Sequence, residues 1–261
     1  MKLRKVMALT LAGAMTAATL TACGDGADET TAAAAGADKE TTAAAEDKET
    51  TAAAADSGSA DAEVVLQVAF ENSITEPVGE GWTKAQEIIK EKSGGKMAIE
   101  VYPDSQLGDK SSLIDSMLLG ENVCTLADGA FYADYGVPDF GIVFGPFLFD
   151  NWDQCWTLIE SDWYKEQCDK LEEKGLKIIA SNWIYGERHT LTNVPVNTVE
   201  DLKGLKIRVP SNEIQSKGFD VLGATSTGMA LGDVYQALQT KTIDGAENPL
   251  ATLYGRKLHE V

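Results

Sequence analysis

Arginine is the residue type whose placement points to chemistry. Between residues 63 and 261 the chain has only Arg188, Arg208 and Arg256. Arg208 lies in Leu205-Lys206-Ile207-Arg208-Val209-Pro210, near the end of an apolar run that alternates like a strand and is closed by proline. A guanidinium set among apolar residues has to face something, and its planar fork matches a carboxylate with two parallel hydrogen bonds. That carboxylate is either one of the chain's own acidic side chains or part of a bound organic acid. The residues alone leave both open.

Other chemistries lack their parts. The two histidines, His189 and His259, stand far apart, so a histidine-rich metal site is excluded and a Ser/His arrangement has few ways to form. Neither CxxC, GxGxxG, a P-loop, GxSxG nor HExxH occurs. Beyond Cys23 the cysteines are Cys124, Cys155 and Cys168, an odd number that makes no disulfide framework. Cys155 and Cys168 fall in consecutive expected helices, where they either pair or serve as small buried hydrophobes. Acidic pairs such as Glu172-Glu173 fall on solvated helix faces. With 22 Lys+Arg against 41 Asp+Glu, the formal charge is −19. That charge argues against nucleic acid and against electrostatic adhesion to anionic lipid.

The elements that hold these residues begin only after residue 62. Residues 1–22 read as an export signal: Lys2, Arg4 and Lys5, then an apolar run too short and too rich in small residues for a membrane span. Leu20-Thr21-Ala22-Cys23-Gly24 resembles the lipobox of bacterial lipoproteins, with Cys23 as the lipidated residue. Residues 24–62 are fifteen Ala, ten acidic residues and little else that is large, with Glu-Thr-Thr-Ala-Ala-Ala recurring at Glu29, Glu40 and Glu49. Such a segment cannot bury enough surface to offset its ordering entropy. It reads as a solvated tether rather than an interaction tail. Residues 1–62 carry −5 of the formal charge, leaving −14 on residues 63–261, so the folded part is itself acidic.

From Glu63 the pattern is mixed α/β. Val64–Phe70 predicts a buried strand, Pro77–Lys92 a helix stopped by Gly94-Gly95, and Met97–Tyr102 a strand. Asp109 predicts the cap of a helix ending at Gly120, and Asn122–Ala127 a third strand. This β-α-β-α-β order implies a parallel sheet covered by helices. Residues 136–149 predict an irregular crossing segment. Helices are expected at Trp152–Ile159 and Asp162–Lys174, strands at Leu176–Asn182 and Glu187–Asn193, and a helical turn at Thr198–Leu202. A strand at Leu205–Val209 and helices at Ser211–Leu222, Leu231–Thr240 and Pro249–Leu258 complete a second α/β half. Two α/β lobes joined by crossing segments suit a cleft-type binding protein, with ligand beyond the carboxyl ends of the strands.

Several ordered motifs sharpen this. Tyr102-Pro103-Asp104-Ser105-Gln106-Leu107-Gly108-Asp109, Gly145-Pro146-Phe147-Leu148-Phe149, Gly186-Glu187-Arg188, Leu205 to Pro210, Asp233 to Thr240 and Asp244-Gly245-Ala246-Glu247-Asn248-Pro249 together resemble the substrate-binding subunit of TRAP transporters, the DctP family. The resemblance covers residues 64–261 in order. It implies a two-lobed periplasmic-binding-protein-like fold, no enzyme activity, no cofactor and no metal. It implies that Arg208 pairs with a ligand carboxylate, that Arg188 supports it, and that Asn248 contacts the carboxylate region. Asp128 and Glu71 occupy first-lobe positions that face the ligand. Trp183 and Tyr185 either line the pocket or pack in the core. The ligand class would be a C4-dicarboxylate, a uronate or another sugar acid, and the partners the TRAP membrane subunits. Ala246 departs from the commoner Gln of this family, and the family continues for several dozen residues beyond the position of Val261, so the resemblance implies an incomplete second lobe. Two alternatives carry other functions: a ligand-presenting sensor lipoprotein, and a secreted hydrolase working through paired carboxylates.

Overall fold

The computed structural model describes residues 61–261. The expected leader, Cys23 and the tether lie outside the described residues. The first sheet is three-stranded and parallel, in the order β2-β1-β3, from β1 (Val64–Ala69), β2 (Met97–Tyr102) and β3 (Val123–Cys124). Helix α1 (Pro77–Lys92) connects β1 to β2, and α2 (Lys110–Leu118) connects β2 to β3. Alternation along β1 sends Val68 and Phe70 against Val78 and Trp82 of α1, while Ala69 goes to the other face, against Leu113 of α2. The helix boundaries follow the sequence. Pro77 opens α1, where a missing N–H is harmless, and Gly94 and Gly95 end it in left-handed backbone. Asp109 caps α2 by accepting from the Ser112 N–H at 2.8 Å.

Beyond β3 a helical layer begins with α3 (Gly129–Asp134) and a 3-10 turn, Pro138–Phe144, and continues through α4 (Trp152–Ile159) and α5 (Asp162–Glu173). Its core is Ile114, Phe131, Phe140, Tyr164, Leu171 and Leu176.

The second sheet has the order β4-β7-β5-β6, from β4 (Arg188–Thr192), β5 (Lys206–Val209), β6 (Thr225–Gly228) and β7 (Gly245–Pro249). β5 pairs in parallel with β6 and β7, and β4 runs antiparallel to β7. Helices α6 (Glu213–Val221), α7 (Val234–Gln239) and α8 (Leu250–Gly255) accompany it. Ile207 joins Leu202 and Ala224 in one cluster, while Val234, Leu238, Ile243, Ala246 and Leu253 form another.

Four expectations change. Leu176–Asn182 is not a strand. Side chains rather than a backbone ladder hold the segment: Leu176 joins the helical core, the Tyr164 hydroxyl bonds the Ser181 hydroxyl at 3.1 Å, and Trp183 just beyond stacks on Trp82 with ring centroids 4.7 Å apart. The third strand shrinks to Val123–Cys124. The Leu231–Thr240 helix opens as a 3-10 turn, Leu231–Asp233, before α7. Pro249 closes β7 rather than opening a helix, and α8 stops before Lys257, which takes φ 56°. Cys124, Cys155 and Cys168 are free thiols, so the Cys155–Cys168 pairing is not made. Burial pushes the Cys124 thiol up to about 11.

Candidate functional site

β5 delivers Arg208 by simple alternation: Ile207 goes into an apolar cluster, and the next side chain leaves on the opposite face. Arg208 is only 2% exposed. Its Nε and Nη2 both donate to the Met229 carbonyl, at 2.9 and 2.6 Å. Among the described residues it has no carboxylate within salt-bridge range. Burial lowers the guanidinium's pKa to about 10; the charges of Glu71 and Glu247 oppose this and that of Arg188 adds to it. It stays a cation at neutral pH, held in a dry setting by one carbonyl dipole.

Arg188 opens β4 and is placed by the antiparallel register with β7, in which it faces Pro249 and lies two residues from Glu247. Its fork closes on that carboxylate: Nε to Oε2 at 2.5 Å and Nη2 to Oε1 at 2.7 Å. The guanidinium carbon lies 5.5 Å from the centre of the Phe144 ring. Burial works against the charge, but the hydrogen bonds and charge of Glu247 outweigh it and hold Arg188 above its ordinary pKa. Glu247 is itself buried and takes a further bond from Gln215 Nε2 at 2.7 Å. Gln215 is fixed in turn by Asn212, which caps α6. The carboxylate partner that the sequence offered for an arginine is therefore real, but it serves Arg188.

The remaining candidates surround these two. Glu71 follows β1 and accepts from the Leu231 N–H at 2.8 Å, a contact from the first sheet's strand end to the second sheet's side. Its charge acts on Arg208. Asp128 caps α3 by accepting from the Ala130 N–H at 3.0 Å, and its charge acts on Arg188. Asn248 is buried on β7, with Oδ1 3.2 Å from the Tyr185 hydroxyl. A second cross-contact joins Asp134 of α3 to the Glu213 N–H of α6 at 3.0 Å. Of the two aromatic candidates, Trp183 packs on Trp82 against Gly81, and Tyr185 points its hydroxyl into a polar cluster.

Sequence reasoning assigned no role to Glu247, Gln215, Asn72, Glu76 or Thr252, all of them buried and polar. Glu247 stood inside the quoted Asp244–Pro249 motif, and a carboxylate next to a β-paired arginine was its available signal. A surface hollow between the start of α1 and α8, lined by Tyr254 and His259, holds neither Arg188 nor Arg208. Among the described residues no group of His, Cys, Asp and Glu could hold a metal ion.

This arrangement can hold an anion at Arg208, with acceptors and an amide around it. Comparison with known proteins identifies a family. The family model for bacterial extracellular solute-binding protein, family 7 (DctP) matches residues 68–261. The sialic acid-binding periplasmic protein SiaP of Vibrio cholerae is 31% identical over 210 residues, covering 78% of this chain and 64% of that protein. The C4-dicarboxylate-binding periplasmic protein DctP of Rhodobacter capsulatus is 32% identical over 185 residues, covering 71% and 55%. Among solved structures, a TRAP periplasmic solute binding protein from Ochrobacterium anthropi with bound L-fuconate superposes with TM-score 0.74 at 42% identity, covering 76% of this chain and 65% of that one. Another, from Actinobacillus succinogenes 130z with bound L-galactonate, has TM-score 0.74 at 36% identity with the same coverage. The chain thus spans less than two thirds of the length of each of these relatives.

Proposed function

The chain belongs to bacterial extracellular solute-binding protein family 7, and we propose that it is the extracytoplasmic receptor of a TRAP-type transporter, capturing a small organic acid by its carboxylate through Arg208. The family and its relatives bind solutes and are not enzymes, so the hydrolase alternative falls away. The observation that carries the reading is the state of Arg208: a buried cation whose fork meets a backbone carbonyl and, among the described residues, no carboxylate. A ligand carboxylate supplies the missing counter-charge where low dielectric strengthens the pair. In a protein this acidic, such a focused cation also offsets a field that repels anions.

Arg188, locked by Glu247, adds positive potential without spending its own fork on the ligand. Asn248 contributes an amide, and Glu71 and Asp128 accept from ligand hydroxyls. The lobes close as a population shift driven by a ligand that touches both. Cys23 carries the lipid and residues 24–62 hold the domain off the membrane, where it delivers its ligand to the membrane subunits. The L-fuconate and L-galactonate of the two structural relatives favour a sugar acid, and the Rhodobacter capsulatus relative keeps a C4-dicarboxylate in view.

A calorimetric and thermal-shift panel of L-fuconate, L-galactonate, D-glucuronate and succinate tests this. Binding of one acid should raise the melting temperature, because ligand stabilises only the folded state, and Arg208→Ala should abolish the shift. A hit that survives Arg208→Ala sinks the carboxylate assignment.

A further inference from the structure

Behind Asn248 lies a buried polar cluster that binding by itself does not require. Glu76, at the start of α1, is 2% exposed. Three donors converge on its carboxylate: the Ser73 N–H at 2.9 Å, Asn72 Nδ2 at 2.7 Å and the Thr252 hydroxyl at 2.8 Å. Asn72 Nδ2 also lies 3.0 Å from the Tyr185 hydroxyl oxygen, and that oxygen lies 3.2 Å from Asn248 Oδ1. The cluster draws on the first sheet's side (Asn72, Glu76), the segment leading into β4 (Tyr185) and the second lobe (Asn248, Thr252).

Counting protons gives these contacts a direction. A carboxylate taking three bonds is an acceptor, so the single Thr252 proton goes to Glu76 and cannot also go to Tyr185, 3.1 Å away. The Asn72 amide must turn its NH2 toward Glu76, and its second hydrogen reaches the Tyr185 oxygen, at 3.0 Å the nearer of the two hydroxyls it faces, Thr252 Oγ1 being 3.1 Å away. Tyr185 then has an occupied lone pair and a free proton, and two acceptors lie within its reach, Thr252 Oγ1 at 3.1 Å and Asn248 Oδ1 at 3.2 Å. With Oδ1 taken, Asn248 can offer only its Nδ2 hydrogens elsewhere.

We infer that Glu76, Asn72, Thr252 and Tyr185 form a positioning relay that fixes the Asn248 amide as a hydrogen-bond donor toward the ligand. The inference rests on the reading that Asn248 contacts the ligand's carboxylate region. An amide left free to flip would present oxygen to a carboxylate half the time and repel it. The relay also ties Glu76, the residue before α1 and far away in the sequence, to the polarity of the binding site.

The test is a double-mutant cycle read by calorimetry with L-galactonate. Tyr185→Phe keeps the ring and removes the relay's last proton, and it should weaken binding about fivefold to tenfold with a small drop in the ligand-free melting temperature, because Asn72 loses one acceptor. Asn248→Ala should weaken binding more, and the double variant should lose no more than Asn248→Ala alone, because Tyr185 acts only through Asn248. Glu76→Gln, which brings its own NH2 into the cluster, should weaken binding in the same direction. Unchanged affinity in Tyr185→Phe, or losses that add in the double variant, overturns the relay while leaving carboxylate capture through Arg208 intact. A wild-type protein that binds none of the four acids removes the reading on which the relay rests, and the relay with it.

Discussion

Arg188 and Arg208 sit on two strands separated only by β7, and they are handled in opposite ways. Arg188 is given a buried carboxylate, a bidentate fork and an aromatic face. Arg208 is buried more deeply and is given one carbonyl. The first arrangement is a finished ion pair; the second is a cation held ready for an anion. Burial of a charge does not by itself mark a binding residue, since Arg208 is buried and the Arg188 side chain is only 22% exposed. What separates them is whether the protein supplies the counter-charge.

The largest effect is expected on the finished pair. Removing the Glu247 charge leaves a largely buried Arg188 without its partner, and the cost approaches the ~3–5 kcal/mol of breaking a fully buried pair, reduced by the partial exposure of Arg188. Glu247→Gln should therefore lower stability sharply in chemical denaturation, whether or not ligand is present. If it leaves stability unchanged and only weakens binding, the pair is not the finished structure described here. Arg208→Lys should do the reverse. It keeps the charge and loses the fork, so binding should fall on the order of a hundredfold, about 3 kcal/mol. Stability should hold, because no internal carboxylate loses its partner. A variant that binds as well as wild type by calorimetry would put the ligand's carboxylate elsewhere.

The first sheet answers a smaller question, which is how far local signals alone decide structure. Asp109→Ala removes the cap of α2 and should cost about 1 kcal/mol in denaturant unfolding without touching ligand affinity. That helix was readable because cap, apolar spacing and Gly120 agree. So were β1, α1 and β2, whose boundaries follow proline, paired glycines and strand alternation. The second sheet was less readable. Gly245–Pro249 is a strand made of residues with poor strand propensity, where tertiary packing overrides that preference, and Thr225–Gly228 is a short strand with no large apolar residue to signal it. At Gly245 a Cβ would lie 2.4 Å from the Leu191 carbonyl, so the glycine that weakens the strand signal is what lets β4 and β7 approach. Leu176–Asn182 failed the other way: good strand composition with no neighbour to pair. For the site, Arg208 and Arg188 were legible as residue types. Which of them holds a partner was not, because that depends on the β4–β7 register bringing Glu247 to Arg188, a long-range fact.

The gentlest probe of the contrast is pH. Arg208 has its pKa lowered by burial to about 10, whereas Arg188 is held above its ordinary value by Glu247. A carboxylate needs Arg208 protonated, and bound anion raises that pKa further, so affinity follows the ligand-free value. Binding should be flat from neutral pH to about 9, halve near pH 10 and fall about tenfold for each further pH step. The sign for folding is opposite. Above pH 10 the unfolded chain holds a proton that the folded Arg208 has released, so this residue's effect on stability improves with rising pH while its affinity for ligand declines. Arg188 contributes neither change in that window, because its charge persists. In Arg208→Lys, a buried ammonium loses its proton more readily still, so residual binding should decay at lower pH than in wild type. A calorimetric profile that declines together with stability, rather than against it, would mean that the alkaline loss reports unfolding and not the charge of Arg208.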